Sequence, residues 1–289
     1  MIDKLLYQIA LFIGKTILQL KKEYILVDRY MIAYYRSLNF SNKDTIILIH
    51  GLNDRKESYF SLIKKLNGFN IIAIDLLGSG DSSKPLDFDY SIASQAKFLK
   101  SSLLAIKKKH NIDTFLLAGH SMGGALALIC ANEFDLKKVI LFAPYGIEVN
   151  EPKIKQRAKK EGKDIWKNVC LVEKFKMILN DMYYKVPAFP KYLLNYITQE
   201  KCKDAELEAK KIDALVDDNL HMRDNLSNIA SKIKCPALIF WGEDDKIIDI
   251  SSAYKYSQLI KNSKLYTFRE CGHMVHIERA KDIAKRLNS

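Results

Sequence analysis

Asp113-Thr114-Phe115-Leu116-Leu117-Ala118-Gly119-His120-Ser121-Met122-Gly123-Gly124 is the stretch that decides the fold, because the run Asp113 to Leu117 leads directly into a G-x-S-x-G element. That is where a buried strand gives way to a helix. A serine in this context occupies a strained strand-to-helix turn, and the small residues Gly119 and Gly123 let the two elements approach closely enough to make it. The helix expected from Gly123 to Asn132 aims its first N–H groups and its positive dipole end at the site, favouring an oxyanion formed beside Ser121. Alone, a G-x-S-x-G match in 289 residues is more often coincidence than chemistry, so the reading depends on what lies elsewhere.

A serine hydroxyl is a poor nucleophile near neutral pH and needs a base, a group that orients the base, and a second oxyanion donor. Past the strand expected over Ala237 to Trp241 comes Gly242-Glu243-Asp244-Asp245, and past the one over Lys264 to Phe268 comes Cys271-Gly272-His273-Met274-Val275-His276-Ile277-Glu278. The chain order is Ser, Asp, His. His273 is expected as general base, taking the Ser121 proton and returning it to the leaving group, with Asp245 fixing its tautomer and stabilising the imidazolium. Asp244 and His276 read as solvated neighbours. An isolated His-Asp pair is usually just that, but here both members lie just past strand ends.

The run Ile46-Ile47-Leu48-Ile49 leads into His50-Gly51-Leu52-Asn53-Asp54, a loop able to turn a backbone N–H toward the nucleophile. Leu52 and Met122 are expected to supply the two oxyanion-hole N–H groups. His50 reads as a buried, hydrogen-bonded organiser of the loop rather than a catalyst, since buried polar groups are satisfied ones. His110, His120 and His221 receive no chemical role. The loop is not of the H-G-G-G type, because Leu52, Asn53 and Asp54 stand where glycines would be.

These residues give the sequence its resemblance to α/β-hydrolase-fold serine hydrolases. Within that superfamily it is most similar to Moraxella-type bacterial lipases and esterases and to the α/β-hydrolase-domain monoacylglycerol lipases. The closer likeness lies in Asp75 to Pro85, in the Gly-His-Ser-Met-Gly-Gly elbow, in Trp241 to Asp249 and in Cys271-Gly272-His273. Carried over position by position, the pattern makes Ser121 the nucleophile, Asp245 the acid, His273 the base, and the amides of Leu52 and Met122 the oxyanion hole. It implies a serine carboxylic ester hydrolase that forms an acyl-enzyme, with a monoacylglycerol or another medium-chain lipid ester as substrate. A serine at the elbow disfavours relatives that use aspartate there. Two alternatives stay open: a carbon-carbon bond hydrolase of the same fold, and a hydrolase-fold small-molecule receptor with residual turnover.

The rest of the chain fits that organisation. Strand candidates at Glu23–Asp28, Tyr30–Tyr35, Thr45–His50, Asn70–Asp75, Thr114–Gly119, Lys138–Ala143, Ala237–Trp241 and Lys264–Phe268 alternate with helical patterns after a first hairpin. The expected class is α/β: an α/β-hydrolase fold with a mostly parallel eight-stranded sheet, helices on both faces, and a helical cap inserted after the sixth strand. The assigned segments are an amphipathic helix at 1–22, a core at 23–144 and 235–289, and the cap at 145–234. Gly78 to Ser83 lacks the G-K-[ST] ending of a phosphate loop and reads as a turn. In the cap, Phe175, Met182, Tyr183 and Phe189, with Met177, Ile178 and Val186, either line an acyl pocket or form the cap's own core.

At the amino terminus Ile2, Leu5, Leu6, Ile9, Phe12, Ile13, Ile17 and Leu20 follow helical spacing, opposite a stripe of Lys4, Gln8, Lys15, Gln19 and Lys22. The uncharged run Leu5 to Gly14 is too short to span a bilayer and no small-residue cleavage site follows, so a cleaved signal peptide is not expected. Residues 1–22 are expected either to lie peripherally in a membrane interface or to dock on the hydrolase domain. A net charge of +12, mostly lysine spread through the chain, can assist contact with anionic lipid. No nucleic-acid module, metal motif or cofactor motif is visible. Five cysteines without a C-x-x-C suggest reduced thiols and a cytoplasmic compartment.

Overall fold

All eight apolar runs form strands in the computed structural model, which describes residues 2–162, 164–217 and 220–288. They are β1 (Leu20–Val27), β2 (Tyr30–Ser37), β3 (Asp44–Ile49), β4 (Phe69–Ile74), β5 (Phe115–His120), β6 (Leu136–Phe142), β7 (Ala237–Gly242) and β8 (Ser263–Phe268). They make one sheet in the order β1-β2-β4-β3-β5-β6-β7-β8. β1 pairs antiparallel with β2, β2 meets β4 antiparallel, and every other pairing is parallel.

The strands read as unbroken apolar runs because the sheet is buried on both faces. Successive side chains of β3 show this directly. Ile47 and Ile49 pack with Ile72, Leu117 and Val139 in one layer, whereas Ile46 and Leu48 pack with Ile71, Ala118 and Ile140 in the other.

Twelve helices are described: α1 (Ile2–Ile17), α2 (Phe60–Ile63), α3 (Ile92–His110), α4 (Met122–Cys130), α5 (Lys153–Glu161), α6 (Val172–Met182), α7 (Lys191–Lys203), α8 (Ala205–Leu215), α9 (Ser227–Ala230), α10 (Ser251–Leu259), α11 (Val275–Glu278) and α12 (Ala280–Leu287). α3, α4 and α10 close the first layer, and α2, α11 and α12 close the second. Between β6 and β7 the alternation stops, and α5 to α8 follow one another as a helical insertion.

Two details depart from the sequence reading, and a third bears on its two alternatives for residues 1–22. β1 begins at Leu20, inside the segment assigned to the first helix; α1 ends at Ile17 and Gln19, at φ 52°, turns the chain into the sheet. Cys170 and Cys202 are joined in a disulfide, which overturns the expectation of five reduced thiols and leaves Cys130, Cys235 and Cys271 free. The packing of α6 on α7, not any local spacing, brings that pair together. Finally, α1 docks: Tyr7 stacks on Tyr196 of α7 at 4.4 Å, Arg55 lies over the Tyr7 ring, and Asn195 Nδ2 donates to Asp3 Oδ2. The rest of its apolar face, including Ile2, Leu5, Ile9, Phe12 and Ile17, remains exposed. Among the described residues, no helix is long and apolar enough to cross a membrane.

Candidate active site

The sheet order places one crevice at the carboxyl ends of β3 and β5, since β4 lies on one side of β3 and the chain then crosses to the other. Ligands of open α/β sheets bind at such a reversal. Ser121 stands there between β5 and α4, with φ 52° and ψ −120°. That conformation is strained for a residue bearing a Cβ and persists only where the surroundings enforce it. Two close approaches do so: a Cβ on Gly119 would lie 2.1 Å from Gly123 O, and one on Gly123 would lie 2.3 Å from His50 O. The Ser121 backbone is also tied to the next strand, its N–H donating to Phe142 O at 2.9 Å.

Asp245 follows β7 and His273 follows β8, and both are buried. His273 Nδ1 and Asp245 Oδ2 are 2.7 Å apart, while Asp245 Oδ1 accepts from the N–H groups of Ile247 (2.8 Å) and Ile248 (3.0 Å). The carboxylate is therefore held in place before it orients the ring. Ser121 reaches this pair through its neighbour, His120 Nε2 donating to His273 O at 3.0 Å; Ser121 and His273 make no direct hydrogen bond in this resting geometry. Such contacts commonly tighten only when substrate binds.

Leu52 lies in the loop after β3 and Met122 is the first residue of α4. Among the described residues, neither backbone N–H donates to a protein acceptor, so both are available to an anion. The loop is braced from the insertion, with Lys201 Nζ donating to Asn53 O at 3.2 Å. His50 is the expected organiser: Nδ1 donates to Gly51 O at 2.7 Å and Nε2 accepts from Leu76 N–H at 3.0 Å. Burial pushes its pKa down to about 4, against the pull of Asp54.

Phe175, Met182, Tyr183 and Phe189 share one apolar cluster with Leu179, Leu194 and Met274. They pack as the insertion's own core and at the same time against the residue after His273. Met274 N–H donates to Met182 O at 3.1 Å. Glu278 fastens the two sides, its Oε1 accepting from Gly272 N–H (2.7 Å) and its Oε2 from Tyr184 N–H (3.0 Å) and Lys185 N–H (3.3 Å). The sequence reading assigned Glu278 nothing, and its role becomes visible only once α11 meets the insertion.

Two histidines passed over in the sequence also belong here. His276 is not solvated but fully buried, its ring 4.4 Å from that of His120, which in turn lies 4.7 Å from His273. Desolvation pushes His276 down to about 3 and lowers His120 well below the ordinary histidine range, so both are neutral. Cys271 is buried as well, and desolvation raises its thiol far above the reactive range.

The arrangement can perform acyl transfer: a strained serine, a histidine held by an anchored carboxylate, and two unspent backbone donors. Comparison with known proteins agrees. A family model described as alpha/beta hydrolase fold matches residues 44–280. Lipase 1 of Psychrobacter immobilis is 30% identical over 247 residues, covering 83% of this chain and 74% of that protein. The human monoacylglycerol lipase ABHD6 is 26% identical, covering 97% of this chain and 85% of its own. Among solved structures, a membrane phospholipase A described as a bacterial virulence factor superposes with a TM-score of 0.89 at 24% identity, covering 99% of this chain and 90% of that one.

Proposed function

The chain belongs to the α/β-hydrolase fold family and is a carboxylic ester hydrolase, and on that premise we propose that Ser121, His273 and Asp245 are its nucleophile, base and orienting acid. Ser121 Oγ attacks the ester carbonyl while its proton passes to His273 Nε2. The Nδ1 hydrogen bond to Asp245 holds the ring in the tautomer that leaves Nε2 free and stabilises the imidazolium as it forms. The N–H groups of Leu52 and Met122 receive the charge that develops on the carbonyl oxygen. Collapse expels the alcohol with the proton from His273, leaving an acyl-Ser121. Water activated by the same His273 then releases the acid. The observation that carries this reading is the short His273–Asp245 contact, with Asp245 anchored by two backbone donors at the ends of adjacent parallel strands.

The substrate we assign is a monoacylglycerol or another medium-chain acyl ester. Supporting it are the lipase and monoacylglycerol lipase relatives and the apolar cluster around Phe175, Met182, Tyr183 and Phe189 above the His273 loop. In this reading 145–234 acts as a cap over the 23–144 and 235–289 core and presents those side chains to the acyl chain. The exposed apolar face of α1 rests peripherally on a lipid surface, a placement supported by its basic residues and the chain's net charge of +12.

The test is hydrolysis of p-nitrophenyl esters from acetate to palmitate and of 1-monoacylglycerols by the wild type and Ser121→Ala. Multiple turnovers with a medium-chain optimum, abolished by the substitution, are expected. Turnover that survives in Ser121→Ala, or no ester turnover by the wild type, overturns the assignment.

A further inference from the structure

Asp54, His120 and His276 come from three separate places, the loop after β3, the end of β5 and α11, yet one ligand atom of each lies within 4.8 Å of the other two. His120 is 1% exposed and His276 0%. Asp54 Oδ2, His120 Nδ1 and both ring nitrogens of His276 are shielded from solvent and have no hydrogen-bond partner. Buried polar atoms without partners are rare and costly, and four in one spot point to something that the protein gathers them around.

The orientation of His120 narrows the chemistry. Its Nε2 donates to the His273 carbonyl at 3.0 Å, so the proton sits there and Nδ1 offers a bare lone pair. An imidazole whose far nitrogen is fixed by a carbonyl is the arrangement found behind metal-bound histidines. A second neutral imidazole and a carboxylate complete a set of two nitrogens and one oxygen, which suits a zinc-class cation with one position left open. The rings of Tyr59, 4.8 Å from His276, and Phe142 wall the spot from water.

We infer that Asp54, His120 and His276 form a binding site for a zinc-class divalent cation, built against the back of the His273 loop. With bonds of about 2.0–2.1 Å a tetrahedral centre holds its donors about 3.3 Å apart, so binding draws the three groups inward. Asp54, in the loop after β3, is the least buried of the three.

The test uses the full chain stripped with a chelator and titrated with Zn²⁺ by calorimetry and with Co²⁺ by absorption, the second because Cys130, Cys235 and Cys271 are the competing ligands. One equivalent is expected, with a cobalt spectrum free of thiolate charge-transfer bands. Affinity should fall at least about tenfold in both His276→Phe and Asp54→Asn, each checked for folding by circular dichroism. No stoichiometric binding, a thiolate spectrum, or unchanged affinity in both variants overturns the site and leaves the groups sharing water.

Discussion

At the scale of single residues, Asp245 is the sharpest case. Its two oxygens do different things, Oδ1 being held by two backbone N–H groups while Oδ2 faces His273. Asp245→Asn keeps the shape but offers the ring an N–H in place of an acceptor, favouring the wrong tautomer. A loss of about 10⁴ in kcat is expected with an unchanged unfolding midpoint; a loss under tenfold would remove Asp245 from the mechanism. His50 gives a second prediction. Its Nε2 lone pair holds Leu76 N–H, and desolvation depresses its pKa to about 4 from an ordinary 6.5. Between those values the unfolded chain binds the proton and the folded one does not, so falling pH favours unfolding. The contribution is intact above 6.5 and lost as pH drops toward 4, amounting to about 2 kcal/mol at pH 5. His50→Gln retains an acceptor that does not titrate, so urea unfolding at pH 7 and pH 5 should show a smaller acid loss than in the wild type. Equal losses in the two proteins would count against this role. Ser121, Asp245, His273 and His50 were legible in the sequence because each is attached to an apolar run that announces a strand. Asp54, His120 and His276 were not, because their significance lies in a meeting of three elements that no spacing encodes.

At the scale of elements, strand existence was legible and element edges were not. The apolar runs of β3 to β8 follow from burial on both faces, whereas the start of β1 depends on pairing Leu20 with Ser37 across a hairpin, which charged neighbours Lys21 and Lys22 disguise. The helical insertion was legible as a break in alternation; how it is fastened was not. Glu278, on α11, receives N–H groups from both the His273 loop and the Tyr184–Lys185 segment. Replacing it by alanine leaves those donors without their acceptor; water takes its place at the exposed Tyr184 and Lys185, so most of the loss falls on the buried Gly272 N–H, one hydrogen bond to a charged group worth about 1.5–3 kcal/mol. Glu278→Ala should therefore lower stability by about 2–4 kcal/mol in urea unfolding and raise KM for long-chain esters more than for acetate. A uniform rise in KM across chain lengths would mean that Glu278 serves only the His273 loop and not the insertion's hold on the acyl chain.

At the scale of the whole molecule, the sheet order sets the candidate crevice at the β3/β5 reversal, and α1 contacts α7 and Arg55, a residue of the loop after β3. The two expectations for the amino terminus, docking and membrane contact, need not compete. Tyr7 is the buried residue of α1, so docking consumes only a narrow stripe and leaves Ile2, Leu5, Ile9, Phe12 and Ile17 facing outward. Seated on a lipid surface by that face, the molecule would carry its insertion and crevice close to the source of acyl esters. Deleting the helix would strip Tyr196 of its partner and confuse the result. The better variant is Leu5→Glu combined with Phe12→Glu, which leaves Tyr7 in place and puts two charges on the outward face. Flotation with vesicles containing anionic lipid should recover the wild type with the vesicles and the double variant in the soluble fraction, with activity on a short soluble ester retained. Charge on a face buried in the interface removes both apolar area and attraction to the anionic surface, so the two effects act in one direction. Equal flotation of the two proteins would assign lipid contact to another surface, and an absence of flotation in the wild type would leave α1 as a brace for α7 and the loop that carries Leu52.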